Sequence, residues 1–299
     1  MPIFKVIILA IIQGIAELLP VSSSAHVVVA EKLMGLDPSS PQMTLLLVML
    51  HTGTMFAVIV YFWSEWKRTY FASRRDFQRF AKLAILATLL TGVVGEALKK
   101  IIEATMFKGA EKAEIEQLFS HLELIAPALA AAGLVILVAG LMERRREQKT
   151  DLVAKVPGRG KTITYRQAAW MGVVQGLALP FRGFSRSGTT ISAGMLAGVG
   201  KMRAERFSFA LAVVLTPPVV GMEVMRLMKA ADAAKLAGAP IDLHGAVTAS
   251  LLGAVFSFAA GLGALKWLSS WLESGRWYVF GIYCLIASGV VFYLHTQGF

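Results

Sequence analysis

Cysteine, charge and acidic residues are all scarce in this sequence. Cysteine occurs once, as Cys284 in an apolar stretch, so no intramolecular disulfide framework can form. Charged residues make up only 16% of the 299, against 56% hydrophobic residues and a mean hydropathy of +0.62. That balance excludes a disordered chain and a secreted disulfide scaffold, and it argues against a soluble enzyme. Acidic residues are the scarcer sign: 19 Asp+Glu against 30 Lys+Arg leave a formal charge of +11. A nucleic-acid binder would account for that excess. Few of the charges fall in the apolar stretches, however, and a membrane protein with basic loops on one side fits better. Alternation of apolar and polar residues with period two is missing, which excludes a membrane β-barrel.

Long apolar runs are what the chain does have. Segments 43–63, 124–142, 246–265 and 277–299 contain no Asp, Glu, Lys or Arg and run to 21, 19, 20 and 23 residues. Segment 83–98 carries only Glu96, and 207–228 carries Glu223 and Arg226 near its end. About 20 helical residues cross a hydrocarbon core of about 30 Å, so these segments predict six transmembrane helices. Two shorter apolar stretches, 2–19 and 165–181, each end at a proline or arginine and a polar Ser- or Gly-rich turn. Each is followed by a second modest apolar stretch, 27–36 and 191–199.

Loop charge predicts the orientation. Lys67, Arg68, Arg74, Arg75 and Arg79 lie in the loop 65–79. The loop 143–166 holds eight basic residues, including Arg144, Arg145 and Arg146, against three acidic ones. Both loops read as cytoplasmic, which puts 99–123 outside. Lys201, Arg203, Arg206, Lys266 and Arg276 mark two further internal loops, with Trp267, Trp271, Trp277 and Tyr278 as expected interfacial anchors. The basic excess is thus mainly a topology signal, with anionic lipid headgroups as the matching partner. On this assignment each short pair enters the membrane and turns back, the first pair from outside and the second from inside.

The two short stretches resemble each other. Gln13-Gly14-Ile15-Ala16 and Gln175-Gly176-Leu177-Ala178 share a pattern 162 residues apart, and each is followed by a proline and closely spaced serines. Three crossings follow each copy, and an odd number between copies gives the halves opposite orientations. The expected fold is an all-α polytopic membrane protein with an inverted-topology repeat, each half a re-entrant helical hairpin plus three transmembrane helices. It forms a single membrane domain over 1–299: half one about 1–142, a cytoplasmic loop 143–164, and half two about 165–299. Non-helical backbone at membrane depth is tolerated only where protein or water satisfies it, so two facing hairpin tips make a wet polar pocket.

Tip one carries Gln13, Glu17, Ser22, Ser23, Ser24 and His26. Gln13 and Glu17 share one helix face, and their oxygens suit a hard divalent cation such as Mg²⁺ or Ca²⁺. Glu17 can equally be the buried structural partner of Arg186. His26 has the chemistry of a general acid, base or nucleophile, or that of a satisfied structural histidine. Tip two carries Gly183, Ser185, Arg186, Ser187 and Thr190 at the start of a helix, a setting that favours anions through backbone N–H groups and a planar guanidinium. A carboxylate with a His/Ser pair facing an anion cradle suits a phosphate ester or diphosphate brought to membrane depth by a lipid tail.

At these residues the sequence resembles the BacA-type undecaprenyl-diphosphate phosphatases. The first family motif, (Glu/Gln)-x-x-x-Glu followed by Pro-Val-Ser-Ser-x-x-His, matches Gln13, Glu17, Pro20-Val21-Ser22-Ser23 and His26. The second, Pro-Gly-x-Ser-Arg-Ser-x-x-Thr, matches from Gly183 to Thr190 except that Arg182 replaces the proline, with Pro180 two residues earlier. Ala25 replaces the usual glycine before the histidine, and Gln13 removes one negative ligand. The resemblance implies hydrolysis of undecaprenyl diphosphate to the monophosphate and inorganic phosphate. That would recycle the lipid carrier for peptidoglycan synthesis and confer bacitracin resistance. It also implies a multi-pass protein of the bacterial inner membrane, with its active site facing the periplasm and a divalent cation as cofactor. Position by position, it puts Gln13 and Glu17 at the metal, and Glu17, Ser23, His26 and Arg186 at the phosphoryl centre. Ser22, Gly183, Ser185, Ser187 and Thr190 would line the substrate.

The alternative is an inverted-repeat transporter or flippase of a phosphate-bearing lipid or anion. The expected partners are a polyprenyl diphosphate and membrane lipids, with no nucleic acid; a homodimer is allowed, since the sequence leaves the oligomeric state open. Lys5 and the apolar run after it also have the look of a signal peptide. Cleavage near Ser24–Ala25 would discard Glu17 and one repeat copy.

Overall fold

The computed structural model describes residues 2–38, 40–106, 121–150, 162–236, 242–272 and 276–298, and these form ten helices. In chain order they are α1 (Ile3–Ala16), α2 (Ser23–Leu33), α3 (Pro41–Thr69), α4 (Arg74–Met106) and α5 (Leu122–Thr150), then α6 (Tyr165–Ala178), α7 (Arg186–Leu196), α8 (Lys201–Leu236), α9 (Leu243–Leu272) and α10 (Trp277–Thr296). Six of them, α3, α4, α5, α8, α9 and α10, are long and apolar enough to cross a membrane. They correspond one for one to the six apolar segments read from the sequence. The protein is a polytopic all-helical membrane protein.

Local signals explain the boundaries. Ser40 caps α3 by accepting from the Met43 amide, with Pro41 in the first turn, where a missing N–H costs nothing. Thr164 and Gln167 form a reciprocal capping box at the start of α6. α1 and α6 are both 14 residues long, and α2 and α7 are both 11. α2 ends on Gly35 at φ +68° with Leu36 N–H bonded to Glu31 O at 2.8 Å, and α7 ends on Gly198 at φ +86° with Val199 N–H bonded to Gly194 O at 2.9 Å. Both are six-to-one C-caps that need a left-handed residue, which glycine supplies.

The halves interlock. α1 packs on α9 and α6 packs on α4, while α3 meets α8 and α5 meets α10. The Gln-Gly pattern has a packing cause. A Cβ on Gly14 would stand 2.5 Å from the Ala260 Cβ, and one on Gly176 would stand 2.8 Å from the Thr91 carbonyl oxygen. Small residues let membrane helices approach this closely, and dispersion between them supplies the attraction that lipid cannot. Outward faces stay apolar: Ile85, Leu89 and Val93 form an exposed stripe on α4, and Ile286 and Val290 one on α10.

Two expectations change. Trp277 is no interfacial anchor: it is 1% exposed, donates its indole N–H to Ser192 Oγ at 3.0 Å, and lies 5.5 Å from the Lys201 ammonium. Its polar handle ties α10 to α7 and its flat face meets the start of α8. The basic run at Arg144–Arg146 is helical, because α5 continues past residue 142 to Thr150; Arg144 lies over the Tyr278 ring at 5.4 Å, and Arg146 bonds the Met195 carbonyl at 3.0 Å. The side chains of Trp267 and Trp271, most of the expected outer loop (107–120) and 151–161 of the expected cytoplasmic loop lie outside the described residues.

Candidate active site

The turns after α1 and α6 bring the polar residues together. Glu17 follows the last residue of α1 and is 4% exposed. Its Oε1 accepts from Arg186 Nη2 at 2.6 Å. Its Oε2 accepts from Ser23 Oγ at 2.5 Å and from Gln13 Nε2 at 2.8 Å, and lies 2.8 Å from His51 Nδ1. One carboxylate therefore joins both turns to α3. An ion pair this buried is costly unless each oxygen is answered by donors, and here each is.

Ser22 and Ser185, which precede α2 and α7, are the only non-glycine residues with positive φ among the described residues, at +66° and +48°. That conformation is strained for a residue with a Cβ and persists only where surrounding contacts fix it. At Ser185 the hydroxyl accepts from the Gly188 amide at 3.3 Å. At Ser22 the carbonyl is bonded by Ala25 N–H at 3.2 Å and lies 2.8 Å from His26 Nδ1. The left-handed step turns the chain sharply, so that α2 begins at Ser23 and α7 at Arg186, both beside Glu17. Two positive helix ends thus converge, a setting that favours an anion.

Between the turns and helices α3 and α8 lies a cavity of about 290 Å³. Its polar lining includes Glu17, Ser22, Ser23, Ser24, His51, Arg182, Ser185, Arg186 and Ser187. Its apolar wall comes from Leu47 and Val48 of α3 and Leu215 and Val219 of α8. Pro217 and Pro218 interrupt α8 at this level. They remove the N–H groups that would bond the carbonyls of Val213 and Val214, and they loosen the helix where it faces the cavity.

Of the residues expected at the site, Glu17, Ser22, Ser23, Ser185, Arg186 and Ser187 line this cavity, and Gln13 touches Glu17 from behind. Three do not line it. His26 points to α10, with Nε2 2.7 Å from Tyr283 OH and the rings stacked at 5.7 Å. Gly183, at φ +103°, packs against α5, where a Cβ would stand 2.6 Å from the Ile125 carbonyl oxygen. Thr190 is fully buried one turn further into α7. His26 and Gly183 contact the turns from outside the cavity, and Thr190 is packed within α7.

The sequence reading missed His51, Arg182 and Glu223 as cavity residues. An imidazole inside a segment otherwise free of charge was the available signal for His51.

A divalent cation has a partial fit. No three His, Cys, Asp or Glu side chains converge into a closed cage among the described residues. Gln13 Oε1 is nevertheless buried without a hydrogen-bond partner among the described residues, while Nε2 of the same amide bonds the Glu17 carboxylate. An amide oxygen and one carboxylate make a half-site of the kind that Mg²⁺ completes with substrate phosphates and water.

Comparison with known proteins gives a consistent result. The family model described as bacitracin resistance protein BacA matches residues 6–291. An undecaprenyl-diphosphatase 2 of Acinetobacter baylyi is 54% identical over 291 residues, covering 97% of each chain. An undecaprenyl-diphosphatase of Desulfosudis oleivorans is 33% identical over 306 residues, covering 96% of this chain and 97% of the relative. An undecaprenyl-diphosphatase 2 of Burkholderia orbicola is 31% identical over 312 residues, covering 99% of each.

Proposed function

From the premise that this chain belongs to the BacA family of bacitracin resistance proteins, we propose that it hydrolyses undecaprenyl diphosphate to undecaprenyl phosphate and inorganic phosphate. It is a membrane-bound undecaprenyl-diphosphatase that returns the lipid carrier to peptidoglycan synthesis, an activity consistent with bacitracin resistance. The observation that carries the chemistry is Ser23 Oγ bonded to Glu17 Oε2 at 2.5 Å, with Arg186 on the other carboxylate oxygen and all three lining one cavity.

Ser23 is the nucleophile in this reading. Glu17 takes the Ser23 hydroxyl proton as Oγ bonds to the terminal phosphorus, and the bridging P–O bond breaks, releasing the lipid monophosphate. Water then attacks the phosphoserine. The Glu17 proton returns to Oγ as the Ser–phosphate bond breaks, and the water protons leave on dihydrogen phosphate. Arg186 and the two helix ends hold the phosphoryl oxygens throughout, since in phosphoryl transfer positioning and charge neutralisation do most of the work. His51, from the cavity wall, and Gln13, from behind, fix the Glu17 carboxylate. His26 acts at one remove, by fixing the Ser22 carbonyl. A bound Mg²⁺ or Ca²⁺, held by Gln13 Oε1 and Glu17, would neutralise charge on the diphosphate.

The helix order and the matched turns support an inverted repeat whose short helices form two re-entrant hairpins, and the family and the basic loops support a bacterial inner membrane with the cavity open to the periplasm. Single cysteines at Asp37 and Gly200, the two positions that follow the hairpins, test this topology. An impermeant thiol reagent should label the first only from outside and the second only from inside; labelling of both from one side refutes it.

The activity test is phosphate release from a prenyl diphosphate by purified protein in detergent with Mg²⁺ or Ca²⁺. Absence of release under those conditions overturns the enzyme reading. Uptake of substrate into liposomes without hydrolysis would establish a transporter in its place.

A further inference from the structure

The second turn is longer than the first by one residue. Gln13 and Gln175 are 162 positions apart, whereas the left-handed Ser22 and Ser185 are 163 apart. Phe181 and Arg182 of this longer turn both line the cavity. The cavity wall thus includes a second arginine besides Arg186, contributed by the longer of the two turns. Arg182 also acts electrostatically on Glu31 of α2, which is 0% exposed and whose two carboxylate oxygens have no hydrogen-bond partner among the described residues. Glu223, an acidic side chain in the α8 wall, has Arg226 of its own helix at 3.8 Å.

We infer that Arg182 forms a second phosphate subsite, which takes the lipid-linked phosphate of a prenyl diphosphate while Arg186 takes the terminal one. This rests on the phosphatase reading and deepens it. A diphosphate brings negative charge on two phosphorus centres into a cavity that already contains the Glu17 and Glu223 carboxylates. Arg186 is committed through Nη2 to Glu17 at the reacting end. A phosphate beyond its reach needs a second cation, because a buried anion without a partner is not tolerated. Arginine suits that task, with a planar fork that matches two phosphate oxygens and a charge that does not titrate. The two subsites then divide the products: inorganic phosphate belongs to Arg186, and the lipid monophosphate to Arg182.

The test uses full-length protein in detergent, with Arg182→Gln and Arg182→Lys. For Arg182→Gln we expect KM for farnesyl diphosphate and the inhibition constant of farnesyl monophosphate to rise together by about tenfold or more, the size of one lost charge-assisted hydrogen bond. Inhibition by inorganic phosphate should not move, and Arg182→Lys should restore part of the loss. Binding of a farnesyl methylenediphosphonate, followed by calorimetry, should weaken in parallel. That binding arm keeps the proposal apart from the function reading. Wild-type protein that binds the diphosphonate but releases no phosphate sinks the phosphatase, whereas unaltered diphosphonate binding by Arg182→Gln sinks the subsite. Equal weakening of inorganic phosphate and farnesyl monophosphate, or a loss confined to kcat, also overturns it.

Discussion

Ser22 and Ser185 hold the same left-handed conformation at the start of helices of equal length, yet a serine follows the first and an arginine the second. The glutamines one helix earlier show the same contrast. Gln13 is buried against Glu17 and His51, whereas Gln175, equally buried, donates to Thr91 Oγ1 at 3.2 Å. Four residues on from Gln175 stands Leu179, where tip one has Glu17. The same scaffold thus supplies a carboxylate and a hydroxyl from one side and a guanidinium from the other. In the proposed reaction neither half acts alone, since the Glu17–Arg186 ion pair at 2.6 Å joins the two turns.

Making the halves alike should therefore cost the most. Glu17→Leu copies tip two into tip one and removes the base, and Arg186→Ser does the reverse. Each should lower kcat/KM for a prenyl diphosphate by about a thousandfold or more, the scale expected for losing a positioned base or a charge-stabilising arginine in phosphoryl transfer. Phosphate release by folded, monodisperse protein checks both, and near-normal rates in either would remove that residue from the site. Ser23→Ala comes next. With Ser23 as nucleophile it should be as damaging as Glu17→Leu and should abolish any phosphoserine trapped by acid quench. A loss of only about tenfold would point to direct attack by water, with Ser23 as a hydrogen-bonding group.

Helix identity was far more legible than site membership. Five of the six apolar segments fall inside their long helices, and the sixth, 277–299, runs past the end of α10 at Thr296; burial in lipid demands uninterrupted apolar length, a property of composition alone. The repeat was legible because Gly14 and Gly176 meet facing backbones where no larger residue fits. Site membership depends on which way a helix is turned, and residue type does not report that. His26, a motif residue, faces Tyr283, whereas His51, with no motif to mark it, faces Glu17. Thr190 carries a hydroxyl in the expected place but is turned into the protein interior. Arg182 registered only as a departure from a family pattern, because its meaning depends on a cavity that residues from five helices and two turns enclose together.

His51 and Thr91 sharpen the comparison further, since each holds the glutamine of its own half. His51→Ala removes a partner of the catalytic carboxylate and should lower kcat by about tenfold to a hundredfold, with His51→Gln recovering most of it by restoring a polar contact. Thr91→Ala leaves Gln175, which does not line the cavity, without its acceptor and should reduce stability by about 1 kcal/mol, with turnover unaffected. Thermal unfolding and steady-state kinetics on both variants check the pair. A kinetic defect in Thr91→Ala would mean that the two halves are coupled beyond the Glu17–Arg186 contact.

The smallest effect is expected at Gln13, where the two halves match in residue and differ only in neighbour. Gln13→Glu keeps the side-chain length and supplies a second carboxylate beside Glu17. Like charges at that distance repel, so the variant should depend on a divalent cation more steeply than wild type. The same charge should also bind the cation better, so half-maximal activity should need several-fold less Mg²⁺ or Ca²⁺, with kcat at saturation changing little. Gln175→Glu makes the same substitution where no cation is expected; it should leave the cation requirement alone and lower thermal stability, through an unpaired buried charge. An unchanged cation titration in Gln13→Glu would remove Gln13 from the metal half-site and leave Glu17 and the substrate phosphates to hold the ion. A shifted titration in Gln175→Glu would locate a cation in the second half and end the functional asymmetry argued from Glu17 and Leu179.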